Sequence, residues 1–436
     1  MGAKTIVMIM LFASLAPITS ANAELNSIPA IGAPLSESPD EAPLTYAFSP
    51  AVRTAFARVS EVSQYSLQEQ QSVEQWVVVS DIKMGVNAQH LDNTWIVDAD
   101  FENGLQLFAN LQYEGKIEVA YPLVAKTMSK KWTPNDALFG DQWHLQNTGQ
   151  TGGNAGEDAN ITGAWDDYRG TGVVIGIVDD GVDLEHDDLD NYYEESLDYD
   201  FCNNDGNPSP SYYDGHGTSA AGVAAAAGDN QIGVTGAAPE AGLAGLLLIA
   251  CSTTDTRESN ALSHNRQDID IYSNSWGPSD DGNTVEAPGP LMLAAFEDDV
   301  NQGRNGLGNI ITWAAGNGLD DDDNSNYDGY ANSRHTIAVT AVTHYGEQSW
   351  YAEPGANILV AAPSDGDGEG ITTTDIEGGG GYRNGDYTDD FGGTSSATPL
   401  VSGVIALILE ANPNLTYRDV EHIIVQSSRV NDAGDN

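Results

Sequence analysis

Residues 392–399 read Gly-Gly-Thr-Ser-Ser-Ala-Thr-Pro and run directly into Leu-Val-Ser-Gly-Val-Ile-Ala-Leu-Ile-Leu at 400–409. The stretch 399–409 is apolar on nearly every side, which predicts a buried helix, because a surface helix keeps one polar face. Ser395 falls just before it. A helix start carries unpaired N–H groups and positive partial charge, which suits an anion forming beside a serine hydroxyl. A serine used in that way needs a base, and the base needs an orienting group. Two upstream segments supply them: His216 in Asp-Gly-His-Gly-Thr-Ser, 214–219, and Asp179 in Val-Val-Ile-Gly-Ile-Val-Asp-Asp-Gly, 173–181.

The β-branched run 173–178 reads as a strand buried on both faces of a parallel sheet. In open α/β sheets functional groups collect just beyond the carboxyl ends of strands, where the Asp179-Asp180-Gly181 turn falls. Strand-like runs at 242–249, 269–273, 309–314, 336–341 and 358–361 alternate with helical ones. That rhythm predicts an α/β fold of three layers, with a central parallel sheet covered on both faces. A small-residue helix at 218–227 follows His216, and 417–427 reads as the last helix. Loops rich in Gly and Asp connect these runs, above all 319–329 and 364–393. Taken alone, His216 is a structural histidine and Ser395 an N-cap more often than not. Their joint occurrence in the order Asp, His, Ser, one of the known orders of a hydrolytic triad, reverses that judgement.

Together with Ala-Gly-Asn at 315–317, these segments resemble the subtilisin-like serine proteases. The phrase Asp-Ile-Tyr-Ser-Asn-Ser-Trp-Gly-Pro-Ser-Asp-Asp-Gly, 270–282, resembles their kexin/furin-like branch, the proprotein convertases that cut after basic residues. The likeness runs from about 132 to about 428. It implies that Ser395 is the nucleophile, His216 its base and Asp179 the group that orients the imidazole. Asn317 matches the residue whose amide donates to the oxyanion, a contribution of about 2.7–4 kcal/mol. Ser275, Trp276, Gly277 and Pro278 match the edge that pairs with substrate backbone. Asp280 and Asp328 match the pair facing a P1 arginine or lysine, Asp180 a carboxylate facing P2, and Glu258 and Glu286 acids that meet P4. An arginine fork on a carboxylate is a specific contact, so this set implies cleavage at dibasic sites. One departure weakens P2 selection: in Tyr212-Tyr213-Asp214-Gly215 the acid stands one place from the branch pattern. The resemblance also implies calcium, held by Asp280, Asp323 and Glu353 under the primary pocket. A second set, Asp136, Asp188 and Asn230, adds carbonyls of the loop 228–234. Such oxygen donors suit calcium rather than a transition metal.

The 436 residues carry 65 acidic against 16 basic side chains, a formal charge of −49. Phosphate-bearing partners would be repelled, so nucleic acid and anionic membranes are excluded as partners, and cationic peptides are favoured. Most of those carboxylates read as solvated surface. Lys4, an apolar stretch at 6–15 and Ala21-Asn22-Ala23 form a secretory leader, 1–23, too short to span a bilayer. The chain is therefore expected outside the cytoplasm, extracellular or periplasmic, as a monomer. Cys202 and Cys251 could pair there, which the sequence leaves open. Residues 24–50 read as poorly ordered, and 51–125 as a small α+β domain. Lys130-Lys131 before Trp132 marks the expected self-processing site, so 24–131 is expected to be a propeptide, a chaperone for and inhibitor of the catalytic domain 132–436. The convertase branch implies a β-sandwich P domain after the catalytic one. The chain to 436 does not include it, and reads as a fragment. Two other readings remain open, a broad-specificity secreted protease and a catalytically dead calcium-binding scaffold.

Overall fold

The computed structural model describes residues 6–7, 56, 60–80, 89–91, 93–125 and 132–431, in two compact units divided at 130/131. The expected leader apart from Ile6–Val7, the segment 24–50 and the Lys130-Lys131 junction lie outside the described residues.

The smaller unit is α+β, as its alternating pattern predicts. Strands β1 (Gln75–Val79), β2 (Gln89–Leu91), β3 (Thr94–Asp98) and β4 (Val119–Leu123) form an antiparallel sheet in the order β2-β3-β1-β4. Helix α1 (Phe101–Tyr113) begins under the Asp100 side chain, which accepts the Asn103 N–H, and covers one face. Trp76 fills the gap between the two, 5.4 Å from the Phe108 ring, and a Cβ on Gly104 would lie only 2.0 Å from its indole.

In the larger unit seven parallel strands make the sheet: β5 (Val174–Asp179), β6 (Tyr199–Asp200), β7 (Gly242–Leu247), β8 (Ile271–Asn274), β9 (Ile310–Ala314), β10 (Ile337–Val342) and β11 (Ile358–Pro363). Their order is β11-β10-β9-β8-β5-β7-β6. Ile6–Val7 pairs beside β11, and Arg429–Val430 pairs with it. All six runs expected as strands are in this sheet; the seventh, β6, has two residues and no sequence pattern to betray it. Alternate side chains feed two cores. Ile175, Ile177, Ile271 and Ile310 point to one, Val178, Tyr272, Ile311 and Trp313 to the other. Burial on both faces is what an apolar run without polar alternation requires.

Helices α2 (His216–Ala225) and α5 (Thr394–Ala411) cover the first face, α3 (Asp255–Leu262) and α4 (Pro290–Gly306) serve the second, and α6 (Tyr417–Ser427) adds Val420 and Ile424 to the first core. Every residue of α5 from Ser396 to Leu409 is buried. It is long and apolar enough to cross a membrane, yet here the protein itself surrounds it. Small residues allow α2 to come close: a Cβ on Gly222 would meet Thr374 Oγ1 at 2.2 Å, and one on Gly403 of α5 would meet the Ala224 carbonyl at 2.6 Å.

Three expectations need correction. Helix α2 starts at His216 itself rather than after it. Helix α5 starts at Thr394, so Ser395 is its second residue and Pro399 lies inside it. The segment 364–393 is not all loop, because Ile371–Thr374 (β12) and Tyr387–Phe391 (β13) pair as an antiparallel hairpin. Its threonines dock on α2, with Thr373 and Thr374 hydroxyls donating to the Ser219 and Thr218 carbonyls at 2.9 and 2.7 Å. Cys202 and Cys251 form a disulfide with their Cα atoms 5.9 Å apart. It closes a span of 49 residues, which by loop entropy amounts to about 4 kcal/mol.

Candidate active site

The register of the sheet determines what meets at its carboxyl edge. Val178 of β5 pairs with Asn274 of β8, and Asn274 with Trp313 of β9. Asp179, Ser275 and the Ala315-Gly316-Asn317 turn therefore leave three adjacent strands at one level, at the point where strand order reverses around β5.

Asp179 is 1% exposed, and its Oδ1 lies 2.8 Å from His216 Nδ1. Burial pulls the imidazole down, but the charge and hydrogen bond of Asp179, with the charge of Asp180, outweigh it and hold His216 above its ordinary value. Asp180 occupies the start of α2, where its two oxygens accept the Gly217 and His216 N–H groups at 2.7 and 3.3 Å. Burial, and then the charge of Asp179, push its carboxyl up to about 7. The residue expected to face P2 thus also anchors the helix that carries the histidine.

Ser395 is partly exposed between buried Thr394 and Ser396. Pro399 has no N–H to give to the Ser395 carbonyl one turn back. That carbonyl instead accepts the Ser275 hydroxyl at 3.0 Å, and the Ser395 hydroxyl donates to the Ser275 carbonyl at 3.4 Å. No hydrogen bond joins Ser395 to His216 in this structure. Resting catalytic hydrogen bonds are commonly long and tighten with substrate bound. The Ser395 N–H itself has no partner among the described residues, as the first turn of a helix leaves it.

Asn317 is aimed by a residue the sequence reading passed over. Its Oδ1 accepts the Thr394 N–H at 2.8 Å and the Thr394 hydroxyl at 3.1 Å, which leaves the NH2 group as the donating end. Gly393, at φ 73°, brings this backbone against Asn317, and the Asp365 carboxylate holds the Gly393 N–H at 2.7 Å. The signal was the threonine of Gly-Thr-Ser.

Beyond Ser275 the chain leaves the ladder. The Trp276 carbonyl accepts the Trp313 indole N–H at 2.7 Å, while the Trp276 N–H and both backbone groups of Gly277 have no partner among the described residues. Pro278, Asp280, Ala315, Gly316, Asp328 and Glu353 line a pocket at this edge. Asp328 reaches the Gly277 backbone, since a Cβ there would lie 2.9 Å from its Oδ2. Burial pushes the Asp328 carboxyl up to about 7 against the pull of the Tyr330 and Ala331 N–H groups, with Asp280 and Glu286 adding to the rise. Glu286 is exposed and bridges the Asp328 strip through its backbone. Glu258, expected to meet P4, is 7% exposed, with the Tyr330 and Thr253 hydroxyls donating to its oxygens at 2.8 and 3.2 Å; Tyr330 stands two residues from Asp328.

Asp280, Asp323 and Glu353 converge, with one oxygen from each within 4.8 Å of the others. Burial pushes Glu353 up to about 8 in spite of the Gly318 N–H, and the charges of Asp280, Asp323 and Asp328 add to this. No basic side chain pairs with any of the three among the described residues. Three oxygen donors repelling one another fit a hard divalent cation. The cluster is tied to the turn that carries Asn317, because Asp280 Oδ2 accepts the Asn317 N–H at 2.8 Å. Glu353 lies under Gly316, at φ 106°, where a Cβ would come within 2.3 Å of its Oε1. In the second set Asp136 accepts the Asp229 and Asn230 N–H groups at 2.9 and 3.3 Å, and Asn230 Nδ2 donates to Asp188 at 2.6 Å. These residues do meet, but as a hydrogen-bonded array. Turning the Asn230 amide over would add its oxygen to the two carboxylates.

Residues 170–436 match the Subtilase family (Peptidase_S8). Human neuroendocrine convertase 2 is 43% identical over 311 residues, 69% of this chain and 48% of that protein. The PC3-like endoprotease variant B of Hydra vulgaris is 37% identical over 351 residues, 78% of this chain and 48% of its own length. The chain thus spans about half the length of these curated relatives. Among solved structures, the serine protease of Aeromonas sobria in complex with the chaperone ORF2 superposes with a TM-score of 0.65 at 27% identity, covering 70% of this chain and 60% of that one. Sequence, sheet order and the arrangement around Asp179 and His216 agree: the chain belongs to the subtilase family, with relatives in its kexin/furin-like convertase branch.

Proposed function

We propose that the chain is a secreted, calcium-dependent serine endopeptidase that cuts proteins and peptides after basic residues, with dibasic sites preferred. The observation that carries this reading is the 2.8 Å bond from buried Asp179 to His216, at the sheet edge that also bears Ser395 and Asn317. For reaction, the Ser395 hydroxyl turns from the Ser275 carbonyl to the imidazole. His216 Nε2 takes its proton while the proton on Nδ1 stays there, donated in a hydrogen bond to Asp179, and Oγ attacks the scissile carbonyl. The oxyanion meets the Ser395 N–H and the Asn317 NH2. The C–N bond breaks as His216 passes its proton to the leaving amine, and a water activated by His216 then hydrolyses the Ser395 ester. The unpaired backbone at 276–277 receives the substrate strand, and Asp280 and Asp328 receive the P1 cation. Asp280, Asp323 and Glu353 would hold one calcium, and Asp136, Asp188 and Asn230, with carbonyls of 228–234, a second. Bound calcium supplies the positive charge these carboxylates lack.

Residues 24–131 are proposed as a propeptide, chaperone and inhibitor, cut after Lys131; a mature N-terminus far from Trp132 would discard that boundary. Comparison of Lys-Arg and Ala-Ala-Phe peptides in calcium buffer tests the specificity. Preference for Lys-Arg is expected. Preference for Phe would leave a broad-specificity protease, and cleavage of neither would favour the scaffold. Asp328→Asn is expected to lower kcat/KM for P1-basic peptides by about tenfold or more, with little effect on labelling of Ser395 by a small acylating reagent.

A further inference from the structure

One cavity of this acidic chain is lined by no acid. It lies between the edge strand β6, with Phe201 beyond it, and helix α3 with the turn that follows. Its volume is about 380 Å³, the size of a small-molecule site. None of the residues of the candidate active site or of the two calcium groups lines it. Tyr199 and Phe201 bring their rings to 4.7 Å of each other, and the His264 ring closes on them at 5.3 and 5.7 Å. His264 Nε2 meets the Leu197 carbonyl at 3.0 Å, which fixes the ring. Burial holds the imidazole below its ordinary value, so it is uncharged near neutral pH. The Cys202–Cys251 disulfide ties the strand side to the chain that enters α3, so the walls need no ligand to bring them together.

Arg257 of α3 lines the same cavity. Arg169, Arg266, Arg304, Arg383, Arg418 and Arg429 each hold a carboxylate, whereas Arg257 holds none among the described residues. Its Nη1 donates to the Ser252 carbonyl at 2.7 Å and contacts Cys251 Sγ at 3.6 Å. The Nε–Nη2 edge is left without a partner among the described residues. Through that edge a guanidinium grips a carboxylate with two parallel N–H bonds. The Tyr199 hydroxyl and the Asn260 amide, also on the cavity, have no partner among the described residues either. Glu258, next along α3, turns instead to the Tyr330 hydroxyl. With 65 acids against 16 bases in the chain, a half-buried guanidinium with its fork open is the exception that calls for a ligand.

We propose that this cavity binds a monocarboxylate that bears an aromatic ring, with the carboxylate on Arg257 and the ring against Tyr199, Phe201 and His264. Edge-on and offset ring contacts supply the apolar part. A second negative charge on the ligand would be opposed by the field of a chain at −49. A single carboxylate meets Arg257 at contact distance, well inside the screening length of about 8 Å at physiological salt. Two sources carry this chemistry: a free aromatic acid, and the C-terminus of a peptide that ends in Phe or Tyr. The proposal does not rest on the protease reading.

Calorimetric titration of the full chain with phenylpropionate, in calcium buffer at about 0.15 M salt, tests it. Saturable binding is expected. Phenylpropionamide and acetate are each expected to bind about tenfold more weakly or worse, since one lacks the charge and the other the ring. Arg257→Gln is expected to weaken phenylpropionate by about tenfold or more, with cleavage of a Lys-Arg peptide and the melting temperature as in the parent. Asn260→Trp keeps the guanidinium and fills the cavity from its exposed rim. It is expected to act in the same way, and it carries the test if the Arg257 variant does not fold. N-acetyl-Gly-Gly-Phe separates the sources: binding tighter than phenylpropionate assigns a peptide C-terminus, and weaker binding a free aromatic acid. No saturable binding, equal binding of acid and amide, or binding untouched by both variants overturns the proposal. A chain that cuts no peptide yet binds phenylpropionate through Arg257 would end the endopeptidase reading and leave this one standing.

Discussion

Two groups of acids that look alike in the sequence are arranged differently in the fold. Asp280, Asp323 and Glu353 accept backbone N–H groups from Asn317, Gly282, Asn324 and Gly318 and still turn one oxygen each toward the others, while Asp136 and Asp188 accept the N–H groups of Asp229, Asn230 and Val234 and have the Asn230 amide donating to Asp188. The first group is a charge problem, and burial aggravates it by pushing Glu353 up to about 8. The second is a fastening, in which each carboxylate closes a loop. In a chain of −49 formal charge, then, counting acids says little; what distinguishes a carboxylate is whether, beside its N–H donors, it also faces other carboxylates.

On the proposed mechanism the contrast has a catalytic consequence, because the first group holds the Asn317 N–H and the second does not. Asn317→Ala is expected to produce the largest effect, a fall of about 10²–10³ in kcat with KM nearly unchanged, equivalent to about 2.7–4 kcal/mol. Steady-state kinetics on a Lys-Arg peptide checks it. A rise in KM alone would show that Asn317 binds ground-state substrate instead.

Glu353→Gln sharpens the comparison by a change of sign. The amide oxygen can still accept the Gly318 N–H, which Glu353 now holds at 2.9 Å, so packing is kept and only charge is lost. In chelator the variant is expected to melt no lower than the parent, because one repelling charge has gone. In calcium the parent is expected to gain roughly 2.7 kcal/mol at a hundredfold excess over Kd, and the variant much less. Equal melting shifts on adding calcium to both would break the distinction between the groups.

What the sequence disclosed and what it hid divide along the same line. Periodicity gave the six long strands because continuous apolar runs have few other ways to be buried, and motif order pointed to Asp179 and His216, which the structure joins at 2.8 Å. Partners at long range were hidden. Nothing near Glu258 foretells the Tyr330 hydroxyl 72 residues on, and nothing in Gly-Asp-rich 364–393 foretells that Thr373 and Thr374 would find carbonyls on α2. The start of α5 was misplaced for a local reason. Pro399 reads as a helix start, a position it favours, but the carbonyl it leaves unpaired is taken by Ser275 from another strand.

Asp180 belongs with the fastened acids, and its test is a pH profile. On the proposed mechanism activity needs a neutral His216, so kcat/KM is expected to rise with pH through the imidazole's titration. The charges of Asp179 and Asp180 hold that titration above its ordinary position. Asp180→Asn keeps an oxygen for the Gly217 N–H but removes a charge, so the acid limb is expected to move to lower pH. The limb position, rather than its height, is the readout, because height also reflects any contact with P2. A limb that stays in place would mean that Asp179 alone sets the histidine.

The smallest effect is expected at Asn230, and it bears on whether the fastened group also takes an ion. As it stands, Asn230 Nδ2 donates to Asp188 and its Oδ1 accepts the Ile232 N–H at 2.9 Å, so Asn230→Ala removes a bridge that costs about 1 kcal/mol whatever the buffer. If calcium turns the amide and uses its oxygen, a further loss appears only in calcium. That excess is expected, and it is expected to be smaller than the one at Glu353, because the Asn230 amide already donates to Asp188 whereas the oxygens of Asp280, Asp323 and Glu353 face one another. Thermal melts of parent and variant, each with calcium and with chelator, give the excess as a double difference. A value of zero would remove the second ion and leave Asp136, Asp188 and Asn230 as loop fastenings alone.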